Sequence, residues 1–201
     1  MYKLYGSPAS RAARVMWALE EIGAPYEIVA AKPHSDALKA VNPLGKVPAL
    51  LDGETAVFDS TAILLHLADK HGMLTFPAGS PERSRLMSVV CFLIDDFEQP
   101  LWTAAKHSFI LPEALRAKEA ILPACHHDFR NALAALAALL GDGPFLMGET
   151  FTIADIIAGH LGGWAKATGF PEPEGAVADY MALVRARPGW QAVAKARAAA
   201  A

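Results

Sequence analysis

Cysteine is scarce. The chain has two in 201 residues, Cys91 and Cys125, and neither belongs to a CxxC pair or to a metal-ligand cluster, so no disulfide framework and no metal module is encoded. The adjacent pair His126 and His127 lacks the i, i+4 spacing of two ligands on one helix face, so no metal site is expected. Long hydrophobic runs are missing as well. The richest stretch, residues 132–140, falls far short of the roughly 18 apolar residues of a spanning helix. Charge of one sign is also lacking: 18 basic against 21 acidic side chains give a net charge of −3, with no electrostatic reason for a nucleic-acid or anionic-membrane partner. The opening residues Met1, Tyr2, Lys3, Leu4, Tyr5 and Gly6, with Arg11 and Arg14 soon after, contain no signal-like apolar core, and the expectation is a cytoplasmic protein with reduced thiols. A small molecule or another protein is left as partner.

What is present points to a folded, helix-rich chain. Hydrophobic residues make up 53% and charged residues 19%, enough apolar content for a buried core. The 40 alanines raise the hydropathy with small side chains that favour helix. The length suits one large domain or two small ones.

Tyr2 to Tyr5 reads as a short strand, and Ser7-Pro8 after it as a helix opening, with Ser7 as cap and Pro8 at the first helical position. Val15, Leu19 and Ile22 form the apolar stripe of that helix, Gly23 its left-handed cap, and Pro25 lies just beyond. Residues 26–30 offer a second strand, so the opening is a βαβ unit with parallel strands. Residues 47–51 and 56–58 flank Asp52-Gly53 and predict a hairpin. Ser60 then caps a helix striped by Ile63, Leu64 and Leu67 and closed by Gly72.

The expected division is an α/β domain over residues 1–75, a Pro/Gly/Ser-rich linker over 76–84 and an all-helical domain over 85–201. In the last, Leu86, Val89, Val90, Leu93 and Phe97 mark one helix face. Phe129, Leu133, Leu136 and Leu140 mark a second, and Ile153, Ile157, Leu161 and Trp164 a third. Pro123 should kink or break the segment that carries the second face. The alanine-rich C-terminal tail reads as the one low-complexity stretch. Thr152 and Asp155 have the spacing of a capping box, whose role is folding.

Asn42-Pro43-Leu44-Gly45-Lys46-Val47-Pro48-Ala49-Leu50, with Asp59-Ser60 downstream, resembles the glutathione-binding signature of the glutathione S-transferase family. The likeness extends to Leu4 through Ser10, to Ala18-Leu19-Glu20-Glu21, and to Phe151 through Asp155 in the helical half. It implies a thioredoxin-like N-terminal domain followed by a helical-bundle C-terminal domain, glutathione on the first, an electrophile cleft between them, and a homodimer. The activity implied is transfer of an electrophile to the glutathione sulfur in detoxification, with glutathione as co-substrate and no metal.

The resemblance also assigns residues. Pro48 is cis in the family, which leaves the Val47 backbone free to pair with the cysteine of the tripeptide; its plainer reading is a trans strand-opener. Asp59 and Ser60 suit the α-amino and α-carboxylate groups of the γ-glutamyl unit at a helix N-terminus, and they also read as ordinary capping residues. Lys46 resembles the residue that meets the charged end of the peptide, against a plain turn lysine. His34 and Lys39 are similar to basic residues that some subgroups use for the glycine carboxylate, though their spacing matches less cleanly.

Thiol activation is the chemical core. A free thiol titrates near pH 8.5, and lowering that by two units takes about 2.7 kcal/mol. One hydrogen bond to a charged group supplies roughly 1.5 to 3 kcal/mol and a helix N-terminus about 0.3 to 1. Ser10, expected in the first helical turn, resembles the thiolate-stabilising serine of serine-type members, with Ser7 and Tyr5 as competitors. Arg14, one turn on, either strengthens the local positive field or forms a structural salt bridge. Trp102, His107 and Phe109 are candidates for the electrophile pocket, with helix-core packing as the other reading. Two alternatives to the transferase stand: a non-catalytic binding or regulatory protein on the same fold, and a glutathione-dependent disulfide reductase or peroxidase. No cysteine occupies positions 7 to 10, which disfavours a dithiol mechanism.

Overall fold

A computed structural model describes residues 1–200. The chain forms two compact units: Met1–Ala78 together with the segment from Arg185 on, and Gly79–Val184.

The first unit is built on a four-stranded sheet of order β2-β1-β3-β4. Its strands are β1 (Tyr2–Tyr5), β2 (Tyr26–Val29), β3 (Ala49–Asp52) and β4 (Thr55–Phe58). β1 and β2 run parallel through the crossover helix α1 (Ala12–Ile22), as a βαβ connection requires. β1 pairs antiparallel with β3, and β3 with β4 across the expected hairpin. The short helix α2 (Asp36–Lys39), capped by Ser35, precedes β3, and α3 (Ser60–His71) follows β4. Leu4, Val15, Trp17, Leu19, Leu50, Ile63, Leu64 and Leu67 are all fully buried, so the predicted stripe of α3 is core, and so is that of α1 apart from the half-buried Ile22 at its end. Gly23 and Gly72 end α1 and α3 in the left-handed conformation, as predicted.

Two helix starts differ from the sequence expectation. α1 begins at Ala12, and residues 7–11 form a turn in which the Ser10 N–H donates to the Ser7 carbonyl at 3.0 Å. Ser7 is therefore not the cap, and Ser10 precedes the helix instead of lying in its first turn. At α3 the cap is Asp59, whose Oδ1 accepts from the Thr61 N–H at 2.8 Å, and Ser60 is the first helical residue.

The C-terminal segment makes a contact that the sequence pattern does not predict: from Arg185 on it groups with the first unit, where α9 (Pro188–Ala199) packs on α1. Trp190 lies 5.0 Å, ring to ring, from the buried Trp17, and the Arg187 guanidinium grips the Glu21 carboxylate at 3.0 and 2.6 Å. Alanine-rich sequence reads as low complexity, but alanine is the best helix former, and one tryptophan with one arginine anchors the helix.

The second unit is all-helical. A run from α4 (Pro81–Phe92) passes through a π-helical segment, Leu93–Glu98, into α5 (Gln99–Ala105), a second π segment, Lys106–Ile110, and a 3-10 turn, Glu113–Leu115. Pro100 lacks the N–H that would bond Asp96, and the wider π turns just before it make room for its ring. α6 (Lys118–Leu140) follows, then α7 (Ile153–Ala167) and α8 (Gly175–Arg185). α6 runs through Pro123 unbroken, contrary to a break there. Pro123 sits in the second turn at the exposed surface, where water can satisfy the freed Glu119 carbonyl. The Thr152–Asp155 capping box is formed. The buried Asp155 carboxylate accepts from the Leu146 N–H (3.0 Å), the Thr152 N–H (2.8 Å) and hydroxyl (3.2 Å), and the Tyr180 hydroxyl (2.9 Å). Burial pushes this carboxyl above its ordinary value while the four donors pull it down. No described helix is long and apolar enough to cross a membrane.

Candidate functional site

Strand register brings three separated loops to one end of the sheet. Tyr5 pairs with Ala49 and Ala49 with Phe58. The residues after Tyr5, before Ala49 and after Phe58 therefore all leave the sheet on the same side. These are Gly6 to Ser10, Val47-Pro48 and Asp59-Ser60, three of the stretches singled out in the sequence.

Gly6 is where the first two loops meet. At φ +147° a Cβ there would lie 2.7 Å from that of Ala12, 3.5 Å from Ser10 Oγ and 3.6 Å from Val47 Cβ, so only glycine lets the chain pass this close. The Ser10 hydroxyl donates to the Ser7 carbonyl at 2.8 Å and accepts from the Ala12 N–H at 3.2 Å. Its proton thus has an internal acceptor, which it must leave to serve an external anion. Ser7 is exposed, while Ser10 is half-buried.

The Val47–Pro48 peptide bond is cis. The Val47 N–H and C=O make no hydrogen bond among the described residues, an open backbone edge at the mouth of the sheet. The loop that presents it is held by Asn42, which is 2% exposed. The Asn42 side chain donates to the Lys46 carbonyl at 2.7 Å and accepts from the Leu44 N–H at 3.0 Å, and its own carbonyl takes the Gly45 N–H at 2.8 Å. The His34 N–H donates to the Gly45 carbonyl at 2.8 Å. Gly45 has φ +62°, and a Cβ there would come within 2.8 Å of His34 Nδ1, so His34 and Lys46 lie on the same loop pair. Lys46, His34 and Lys39 are all exposed, Lys39 at the end of α2.

Asp59 is exposed and holds φ +72°, ψ 129°, a backbone conformation that costs a non-glycine residue about 1 to 3 kcal/mol and recurs at ligand clamps. Ser60 behind it is buried, and its hydroxyl accepts from Arg14 Nη1 at 3.3 Å. Arg14 itself is fully buried. Sequence reasoning quoted Asn42 without giving it a role, although an Asn-Pro pair opening a turn is a readable signal. The contact from Arg14 to Ser60 stands beside the two roles weighed for Arg14 in the sequence, a local positive field and a structural salt bridge.

Trp102, His107 and Phe109 belong to the second unit. Trp102 is half-buried on α5. His107 Nδ1 accepts from the Ala117 N–H at 3.2 Å, and Phe109 is 65% exposed. None of the three lines the groove of about 760 Å³ between α5 and α6, whose walls include Phe92, Thr103, Ile121 and Cys125. No group of three or more His, Cys, Asp or Glu side chains among the described residues could hold a metal ion.

A sheet of this order with its cis-proline loop, followed by a helical unit, is the thioredoxin-like plus helical architecture of the glutathione S-transferases, and comparison with known proteins bears it out. The N-terminal domain family of glutathione S-transferases matches residues 1–69 and the C-terminal domain family residues 119–196. Glutathione S-transferase 3 of Zea mays is 29% identical over 204 aligned positions, covering 96% of this chain and 88% of that protein. The solved structure of a sphingomonad glutathione S-transferase complexed with glutathione is 32% identical, covers 98% of both chains and superposes with a TM-score of 0.81. A glutathione transferase family member from Pseudomonas fluorescens, solved with two glutathione bound, is 27% identical with a TM-score of 0.77 over 96% of this chain and 91% of that one. The chain belongs to the glutathione S-transferase family.

Proposed function

We propose that this protein is a cytoplasmic, homodimeric glutathione transferase of the serine type, which holds the thiol of bound glutathione as thiolate for attack on an apolar electrophile. The observation that carries this reading is the convergence of Ser10, Val47 and Asp59-Ser60 at one end of the sheet, fixed by the pairing of Tyr5, Ala49 and Phe58. Each offers what one part of the tripeptide needs. The open Val47 N–H and C=O can pair antiparallel with the backbone of its cysteine. The Asp59 carboxylate can pair with the γ-glutamyl ammonium while the start of α3 takes the carboxylate. Lys46, with His34 and Lys39 further out, supplies positive charge for the glycine end.

Ser10 completes the site. Its hydroxyl turns from the Ser7 carbonyl to the sulfur and donates a hydrogen bond that the thiolate accepts more strongly than the thiol, so the proton leaves more readily. The protein contributes electrostatic stabilisation and positioning, and the nucleophile belongs to glutathione. Trp102, His107 and Phe109 are assigned to the electrophile. Family membership and the glutathione complex of the sphingomonad relative support the reading.

Calorimetric titration with glutathione, followed by turnover of an activated aryl halide, tests it. Saturable one-to-one binding per chain and glutathione-dependent conjugation are expected. Absence of binding heat across a millimolar range of glutathione would overturn the assignment.

A further inference from the structure

Arg14 is 0% exposed, and Ser60, whose hydroxyl accepts from its Nη1 at 3.3 Å, is 3% exposed. A guanidinium has only donors, and a hydroxyl has one proton and two lone pairs. With a lone pair of Ser60 facing a cation, its proton turns away from Arg14, and the neighbouring positive charge makes the O–H a stronger donor. The Ser60 N–H, at the first position of α3, has no hydrogen bond among the described residues. Ser60 therefore carries two directed donors with a buried cation behind them. Immediately before it, exposed Asp59 uses one carboxylate oxygen on the Thr61 N–H and keeps the other for a cation.

A ligand head that presents a carboxylate and an ammonium on one carbon matches this pair. We infer that Arg14 is a positioning residue: through Ser60, it sets the donors that receive the α-carboxylate of the γ-glutamyl group. The inference rests on the glutathione reading above and adds the source of its selectivity for an α-amino-acid terminus. It also separates this role from the local positive field weighed for Arg14 in the sequence. Acting through Ser60, Arg14 governs how tightly the γ-glutamyl end is held; a field acting on the sulfur would govern the acidity of the thiol.

The test measures dissociation constants for glutathione and for cysteinylglycine, which lacks the γ-glutamyl unit, on the wild type, Arg14→Gln, Arg14→Lys, Ser60→Ala and the Arg14→Gln/Ser60→Ala double variant. The pKa of the bound glutathione thiol is read alongside. Arg14→Gln and Ser60→Ala should each weaken glutathione about tenfold, the worth of a charge-assisted hydrogen bond, with cysteinylglycine changed by less than about twofold. The double variant should be no worse than the weaker single, Arg14→Lys should recover part of the loss, and the bound thiol pKa should stay put. Equal losses for both ligands, additive losses in the double variant, or a raised thiol pKa would overturn the role. If the Arg14 variants do not fold, Ser60→Ala decides: an unchanged ratio of the two affinities overturns the inference. A wild type that binds neither ligand overturns the glutathione reading itself.

Discussion

Among the helix N-termini that carry buried polar groups, those of α7 and α3 are finished in opposite ways. At α7, the Asp155 carboxylate takes four donors, from Leu146, Thr152 twice and Tyr180, and every one comes from the same unit. At α3, Asp59 is exposed in a strained conformation, while Ser60 is backed by Arg14 and leaves its N–H unmatched. A closed network returns all its hydrogen-bond energy to the fold. An open one holds donors and strain that only another molecule can use. The same local motif, an acid or hydroxyl at a helix start, thus closes on its own unit in one case and stays open in the other.

The largest effect should come from breaking the closed network. Asp155→Ala strands the Leu146 and Thr152 N–H groups and the Tyr180 hydroxyl in the interior, at about 1 to 3 kcal/mol each, so a loss of about 4 kcal/mol is expected. Denaturant unfolding followed by helix signal checks it, and a loss under about 1 kcal/mol would show that the network is not closed as described. A smaller effect is expected at the loop that presents Val47. Asn42→Ala frees the Lys46 carbonyl and the Leu44 N–H, which should cost about 1 to 2 kcal/mol and weaken glutathione several-fold with turnover at saturation little changed. Steady-state kinetics separate the two parameters; an unaltered KM would mean that the loop is held without Asn42.

The smallest effect belongs to a surface ion pair of the first unit, which neither closes a core nor faces a ligand. Hydrogen bonds from Lys70 and His66 hold the Asp52 carboxyl below its ordinary value. A depressed folded-state value means that its stabilisation is present above the unfolded value, near pH 4, and is lost as pH falls through the folded one. Asp52→Asn should therefore lower stability at neutral pH by the few tenths to about 1 kcal/mol usual for exposed pairs and converge with the wild type below about pH 4, which flattens the acid side of the profile. Unfolding midpoints between pH 2 and pH 7 measure it, and an acid limb as steep as that of the wild type would contradict it.

What the sequence made legible follows from how local each feature is. The βαβ start, the Asp52-Gly53 hairpin and the apolar stripes of α1, α3, α4, α6 and α7 are periodic or turn-coded over a few residues, and all are present, with Ile22, Leu133 and Trp164 half-buried at their margins. The helix starts near Ser10 and Ser60 were misplaced by a residue or more, because serine caps and serines beside a cap look alike without backbone angles. The fate of the C-terminal segment was hidden because it depends on Trp190 meeting Trp17 and Arg187 meeting Glu21 across most of the chain. Pro123 suggested a kink or a break, and α6 continues through it in an exposed second turn. For the site, the residue types were readable in the signature. The proximity of Ser10 to Val47 and the contact from Arg14 to Ser60 depend on sheet register and helix packing, which no local pattern encodes.

The central claim is that a hydroxyl at Ser10 acidifies a bound thiol, and a pH titration of the thiolate ultraviolet band of bound glutathione tests it most directly, on the wild type, Ser10→Ala and Ser7→Ala. The account predicts a thiol depressed below its free value of about 8.5 in the wild type and in Ser7→Ala, and raised by about one to two units in Ser10→Ala with glutathione affinity kept within a few-fold. An unshifted thiol in the wild type, or a larger shift in Ser7→Ala than in Ser10→Ala, would contradict it.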